Sequence, residues 1–201
     1  MATNFHTTAL QLLARDPLPL SVHACEFIVI GGQLGMVASD DQRNVQIFIF
    51  NPNSPDYRRQ QLICRADLHA GTHINSFARW PMPLRPQVGV RIAAHFTSVD
   101  GAVGTVCPLP QDSYRRLLAL QNLMVAAVPH VAGLNPRSWR LFRPAISMKR
   151  RYAKSFLDAN LLGRYLHLDL GLQIQLALAL RNTRDALLGD LYELLVSTLI
   201  S

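Results

Sequence analysis

A chain of 201 residues, 49% hydrophobic and 16% charged with a formal net charge of +7, has too much apolar material for a disordered tail and the length of one domain or slightly more. No window offers about 18 uninterrupted apolar residues, which excludes a membrane-spanning helix, and MATNFHTTALQ has no basic segment leading into an apolar one, so no secretory signal is read. The positive charge is almost all arginine, since Lys149 and Lys154 are the only lysines, which suits RNA or an acidic protein surface and says nothing about fold. The apolar content implies a large buried fraction, or faces that another chain covers. Cys25, Cys64 and Cys107 are odd in number, far apart and set in apolar runs. Buried free thiols in a reducing compartment fit that pattern; a disulfide framework or a zinc site does not.

The chain opens with a polar lead and Leu10, Leu12 and Leu13, then turns at Arg15-Asp16-Pro17. Strand signals follow at short, even spacing. Val22 to Ile30 is the first, with a Gly31-Gly32 turn. Leu34 to Ser39 is the second, closed by Asp40-Asp41-Gln42-Arg43-Asn44. Val45, Ile47 and Ile49 alternate with Gln46, Phe48 and Phe50 in the third. A polar loop, NPNSPDYRRQ, leads to Gln61–Ala66, and after Gly71 comes His73 to Trp80. Pro81, Pro83 and Pro86 are expected to force a loop, because proline cannot donate to a ladder. Val88 to Thr97 and Ala102 to Cys107 flank Asp100-Gly101, a strong hairpin signal. No helix separates consecutive strands, so the pattern is antiparallel hairpins and not β-α-β units. It suits a small sandwich, a barrel or nearly two four-stranded propeller blades, and does not choose among them.

Helices follow. Asp112 is a plausible N-cap for a helix whose apolar stripe is Tyr114, Leu117, Leu118, Met124, Val125 and Val128, interrupted by Gln121. Pro129 ends it, and Gly133, Asn135 and Pro136 make a turn before a second short helix carrying Trp139 and Phe142. Between Ser113 and Leu157 there is no Asp or Glu, but there are Arg115, Arg116, Arg137, Arg140, Arg143, Lys149, Arg150, Arg151 and Lys154. Asp158 can cap a further helix. Leu166 to Leu180 alternates with period two, as a strand would, yet Leu168, Leu172, Leu176 and Leu180 also form one helical stripe; helix is preferred because Leu and Ala favour it. Thr183 caps a last helix.

His69 and His73 in DLHAGTH stand four apart, but Gly71 and the flanking strand signals argue for a turn and not a metal-binding helix face. No nucleophile elbow, P-loop, dinucleotide turn or carboxylate pair is present, and Gly101-x-x-Gly104 reads as a hairpin. No cofactor, metal, membrane or small-molecule substrate is implied, and no enzymatic site. The functional lead is the basic junction. Arg137, Arg140 and His130 beside Trp139 and Phe142 mix guanidinium groups with aromatics, a composition that grips RNA; the alternative makes Trp139 and Phe142 core.

Several stretches are long and unusual. Arg65 to Arg79 (RADLHAGTHINSFAR), Tyr114-Arg115-Arg116-Leu117-Leu118 with Leu120-Gln121-Asn122, Ala132 to Arg137 (AGLNPR) and Leu161 to Leu166 (LLGRYL) resemble the largest-subunit family of the cleavage and polyadenylation specificity factor. Leu12 to Pro17 and Gly32 to Gly35 agree, so the resemblance runs from Leu12 to about Leu195. Asp158-Ala159-Asn160-Leu161 departs from the family's Asp-Gly-Asp/Glu-Leu turn. Two sister families share the architecture, the damaged-DNA-binding adaptor of cullin ligases and the propeller scaffold of splicing factor 3b. The resemblance implies an α+β fold: antiparallel β-hairpins forming about two blades of a partial β-propeller, then an α-helical C-terminal domain. The division falls near Pro110, with blades in residues 1–110 and helices in residues 111–201.

The resemblance further implies a nuclear, non-catalytic scaffold of the pre-mRNA cleavage and polyadenylation machinery. Its partners would be the WD-repeat and zinc-finger subunits, with pre-mRNA as a further candidate. Arg137, Arg140, Arg143, Lys149, Arg150 and Arg151 would form the basic RNA- or partner-binding face. Leu117, Trp139 and Phe142 would join helices to sheet. Met148 to Arg151 is a weak nuclear-import signal and fits a surface turn equally well. An isolated pair of blades would leave an apolar flank and open strand edges.

Overall fold

The computed structural model describes residues 12, 14–16, 18–30, 32–50, 62–83, 90–146 and 149–199. The loop read at NPNSPDYRRQ, and Pro86, lie outside the described residues. Among the described residues seven strands form two antiparallel sheets. The first holds β1 (Val22–Ile30), β2 (Gln33–Asp40), β3 (Asn44–Phe50) and β4 (Leu62–His69) in chain order; the second holds β5 (Ile74–Pro83), β6 (Val90–Ser98) and β7 (Val103–Val106). Gly32 and Gly101 take φ of +77° and +83° in their hairpin turns, a conformation glycine adopts without a Cβ clash.

The sheets do not close into one barrel. They pack face to face, with Ile28, Val37, Val45 and Leu68 of the first against Ile74, Phe77 and Ala94 of the second. Ser39 Oγ ties them by donating to the Ile74 carbonyl at 2.9 Å. This is the relation of successive propeller blades, one with four strands and one with three. The period-two alternation that turns Ala24, Ile28 and Ile30 inward turns Cys25, Phe27 and Val29 outward. Cys25, expected to be buried, is therefore an exposed free thiol, while Cys64 is half-buried.

Strand boundaries mostly fall within two residues of expectation, and two strands run further. β4 continues to His69, because Asp67 and His69 find partners on the outer face. β5 runs through Pro81 and Pro83, which pair in register with Ile92 and Val90. The strand is an edge, and prolines two apart turn their nitrogens to the same unpaired side.

Gly104 in β7 faces Phe96 across the ladder. The Phe96 ring lies over the glycine so closely that a Cβ there would stand 2.3 Å from its Cζ, and the ring also meets Phe77 edge-on at 6.2 Å. Gly104→Ala is expected to destabilise the chain by about 1–3 kcal/mol through overpacking. A urea midpoint unchanged from wild type would show that the ring is free to swing away.

The helical part begins with α1 (Gln111–Ala127). Its N-cap is Pro110, not Asp112, and no side chain caps it; the Pro110 carbonyl takes the Tyr114 N–H at 2.9 Å. Asp112 sits inside the first turn, where the helix dipole favours a carboxylate. The expected stripe divides between two partners. Leu117, Leu120 and Met124 are fully buried among Leu162, Tyr165, Leu187 and Leu191, whereas Tyr114, Leu118 and Val125 turn to a groove. Leu117 thus joins helix to helix and not helix to sheet.

A short α2 (Pro136–Trp139) follows, with Asn135 accepting from the Arg137 N–H. Phe142 lies beyond it, in a bridge with Arg151. Asp158 caps α3 (Ala159–Gly163), and a 3-10 turn leads to α4 (Leu170–Ala179), capped by Asp169. The ambiguous leucine-rich stretch is therefore helical from Leu170. Leu168, Leu172, Leu176 and Leu180 pack on the helical core as one face, while Leu170, Ile174 and Leu178, which an alternating strand would have put on that same face, are exposed. Thr183 Oγ1 accepts the Ala186 N–H at 3.2 Å to start α5 (Arg184–Leu199). Asp190 of α5 holds α1 by taking Arg116 Nε at 2.6 Å and Ser113 Oγ at 3.1 Å.

Candidate interaction surface

Residues 140–146 and 149–158 belong to an arm that leaves α2, crosses the end of the first sheet and returns to α3. Its seat is a polar row on the outer face of that sheet. Register pairs Asn44 with His69 and Gln46 with Asp67, so period two brings four polar side chains together. Asn44 spends its whole side chain here. Its Nδ2 donates to Asp40 Oδ2 at 2.8 Å and to the Arg143 carbonyl at 2.7 Å. Its Oδ1 accepts the Arg143 N–H at 3.1 Å and faces His69 Nδ1 at 3.3 Å. Since that oxygen only accepts, His69 Nδ1 carries the proton. Burial pulls the His69 ring down to about 4, with Arg143, Arg140, Arg43 and Arg150 adding to the effect. Burial also raises the Asp40 carboxyl above its usual range, against the opposing hydrogen bonds from Asn44.

Further along, the arm adds to the β4 edge. Asp67 and Lys154 exchange backbone hydrogen bonds at 3.1 and 2.9 Å. The Asp67 carboxylate, wholly buried, takes Arg151 Nη1 at 2.7 Å, and the Arg151 guanidinium lies over Phe142 at 4.3 Å. Burial first and Asp67 second push the Cys64 thiol up to about 11, so it stays protonated at neutral pH.

Arg140 is the centre of the joint. Its guanidinium lies 3.6 Å from the centroid of Trp139 and 5.8 Å from that of Phe156. It pairs with Asp158 at 3.2 Å and donates to the carbonyls of His69 and Ala70 at 3.4 and 3.3 Å. Burial lowers its pKa, and Asp158 opposes that. Trp139 in turn covers Gly71, whose φ of +87° shapes the β4–β5 turn. Gln121, the break in the α1 stripe, accepts the Asp158 N–H at 2.7 Å.

The six cations expected on one basic face are thus divided. Arg140 is largely enclosed in the joint, its side chain 18% exposed, a correction with a plain cause: Asp158 and two carbonyls hold it there. Arg143 is half-buried and engaged through its backbone. Arg151 is half-exposed and paired with Asp67. Arg137, Lys149 and Arg150 are exposed, and Arg137 donates to Asn122 Oδ1. Phe142 is buried and Trp139 partly exposed at the helix–sheet contact.

Sequence reasoning missed Asp40, Asn44, Asp67, Gln121 and Asp158 as members of this site. Polar residues two apart in β3 and β4 were the available signal. His69 and His73 do not converge: the His73 ring lies 5.6 Å from that of His23. Among the described residues no group of three His, Cys, Asp or Glu could hold a metal. A groove of about 350 Å³ opens between α1, α2 and the arm. It contains no histidine or cysteine, and its one carboxylate, Asp158, is committed to Arg140 and to the α3 N-terminus.

Two sheets packed as propeller blades and joined through the arm to a helical unit define an α+β architecture of the propeller class. The chain matches the CPSF A subunit region family over residues 4–167 and belongs to that family. It is similar to cleavage and polyadenylation specificity factor subunit 1 of Arabidopsis thaliana, at 38% identity over 191 residues, 94% of this chain and 13% of that protein. It is likewise similar to the probable subunit 1 of Oryza sativa, at 37% identity over 196 residues, 94% of this chain and 14% of that protein. Subunit 1 of Drosophila melanogaster is 29% identical over 193 residues, 92% of this chain and 13% of that protein. The chain therefore spans about an eighth of the length of these relatives.

Proposed function

We propose that this chain is a non-catalytic scaffold piece of the pre-mRNA cleavage and polyadenylation machinery, acting in the nucleus in mRNA 3′-end formation. Its WD-repeat and zinc-finger partners dock on it, and other subunits perform the chemistry. Residues 1–110 supply the blades and residues 111–201 the helical domain, with Arg137, Arg143, Lys149, Arg150 and Arg151 as its cationic contact face and Arg140 fixing Trp139 behind it. The observation that carries this reading is the extent of the match to proteins named for cleavage and polyadenylation, 94% of the chain.

The exposed apolar corner of the first sheet adds support. Phe27, Val29 and Leu34 are 53%, 42% and 50% exposed, and the last two are register partners on the open β1 edge. Contiguous apolar surface on a sheet edge asks for a covering chain. Size-exclusion chromatography of the isolated chain is expected to show oligomers or loss on the column; a clean stable monomer would count against a missing neighbour. Affinity purification of the tagged chain is expected to enrich other polyadenylation factors. Enrichment of cullin or splicing components instead would redirect the assignment to a sister family.

A further inference from the structure

The groove beside α1 has features that the sheet–helix joint does not use. One wall is Leu118 and Val125 of α1, the other is Phe156 of the arm, and Arg137 stands at the rim. Its volume of about 350 Å³ is enough for one large side chain with its flanking backbone and is small for a cofactor. The charge around it is one-sided. The segment from Ser113 to Leu157 carries no Asp or Glu. Asp158, at the groove floor, is neutralised by Arg140. Arg137 meets only the neutral Asn122 side chain, and among the described residues no carboxylate pairs with it.

We propose that this groove docks an acidic linear segment of a partner protein, which seats one large apolar side chain against Leu118, Val125 and Phe156 and places a carboxylate on Arg137. The inference rests on the scaffold reading and names the chemistry of one partner contact. A nucleic-acid strand is a poorer match, because it needs a row of cations along its phosphates, and this groove offers one uncompensated guanidinium beside apolar walls. A carboxylate beside an apolar anchor uses both features. The guanidinium fork accepts it bidentately, and the buried anchor supplies most of the affinity.

The test is fluorescence anisotropy on the full chain with three labelled probes: a short glutamate-rich peptide with a central phenylalanine, the same peptide with lysine for glutamate, and an oligouridylate. The acidic peptide is expected to bind saturably and the lysine peptide not to bind. Arg137→Glu, at an exposed position, is expected to weaken the acidic peptide by about tenfold or more. Val125→Trp, which fills the groove, should abolish binding while the far-ultraviolet dichroism stays native. No saturable binding of the acidic peptide, equal binding of the lysine peptide, or affinity unchanged in Arg137→Glu would each overturn the proposal. Oligouridylate binding that Arg137→Glu removes, with the acidic peptide inert, would overturn it in favour of RNA. If Arg137→Glu and wild type recover the same polyadenylation factors, the groove is wrong and the scaffold stands. If the peptide binds and no such factor is recovered, the groove stands and the scaffold reading is wrong.

Discussion

Replacing Asp158 with alanine is expected to lower the unfolding free energy by about 3–5 kcal/mol, the usual result of leaving a buried charge without its partner. Arg140 cannot move to water. It is stacked on Trp139, faces Phe156 and donates to two backbone carbonyls, so its charge would stay inside. The same substitution strips the α3 N-terminus of its cap, since Asp158 Oδ1 accepts from Asn160 at 3.0 Å and Leu161 at 3.3 Å; that loss adds about 1 kcal/mol. Asp158→Asn separates the two effects, because an asparagine still caps but carries no charge, and it should recover only the smaller part. Arg140→Leu should cost about as much through the charge alone, because it leaves the Asp158 carboxylate, 11% exposed, without its counter-ion. Urea denaturation followed by circular dichroism reads all three. A loss below about 1 kcal/mol for Asp158→Ala would mean that the stacking and carbonyls hold Arg140 by themselves.

Acidification through the window from pH 6.5 to about 4 is expected to destabilise the fold by up to roughly 3 kcal/mol through His69 alone, because each tenfold difference in proton affinity between folded and unfolded chains is worth about 1.4 kcal/mol. The folded ring sits at about 4 and the unfolded ring near 6.5. Between those values the unfolded chain binds the extra proton, so stability rises with pH there and is lost as pH falls. The surroundings explain the depression: His69 is buried against Asn44, and Arg43, Arg140, Arg143 and Arg150 are the charges that reach it. Asp40, one hydrogen bond away through Asn44, acts in the opposite sense. Its raised pKa makes protonation favour the folded state above pH 3.8, which offsets the low end of the window. The difference between wild type and His69→Gln isolates the histidine. If both lose stability in parallel from pH 6.5 downward, His69 is not the titrating group.

Much of the fold was legible because local rules governed it. Asp100-Gly101 and Gly32 mark hairpins wherever they occur, and both are hairpins here. Asp158 and Thr183 read as caps and cap. The leucine stretch resolved as helix, with Leu168, Leu172, Leu176 and Leu180 toward the core and Leu170, Ile174 and Leu178 exposed, a division that period two does not make. Where expectation failed, a distant partner decided. Proline in β5 is tolerated because the strand is an edge, which only the sheet order reveals. Leu117 was expected to join helices to sheet with Trp139 and Phe142; its actual neighbours are on α3 and α5.

The basic face shows the same limit. Nine cations without a carboxylate are countable in the chain, but three of them are taken by Asp67, Asp158 and Asp190. Two of those acids lie outside the basic run at its C-terminal side and one far upstream. Counting charge along the chain cannot show which acids return to it.

By itself the sequence determined the hairpins, the caps, the helical stripe and the family, because these depend on residues within a few positions of one another or on the identity of long words such as DLHAGTHIN. The tertiary structure alone decided that Asn44 binds the backbone of Arg143, 99 residues away, that Arg140 is a strut and Arg137 an open contact, and that a groove stands between α1 and the arm. Those outcomes turn on which buried polar groups find partners across the fold, and the cost of leaving any of them unpaired is what selects the arrangement.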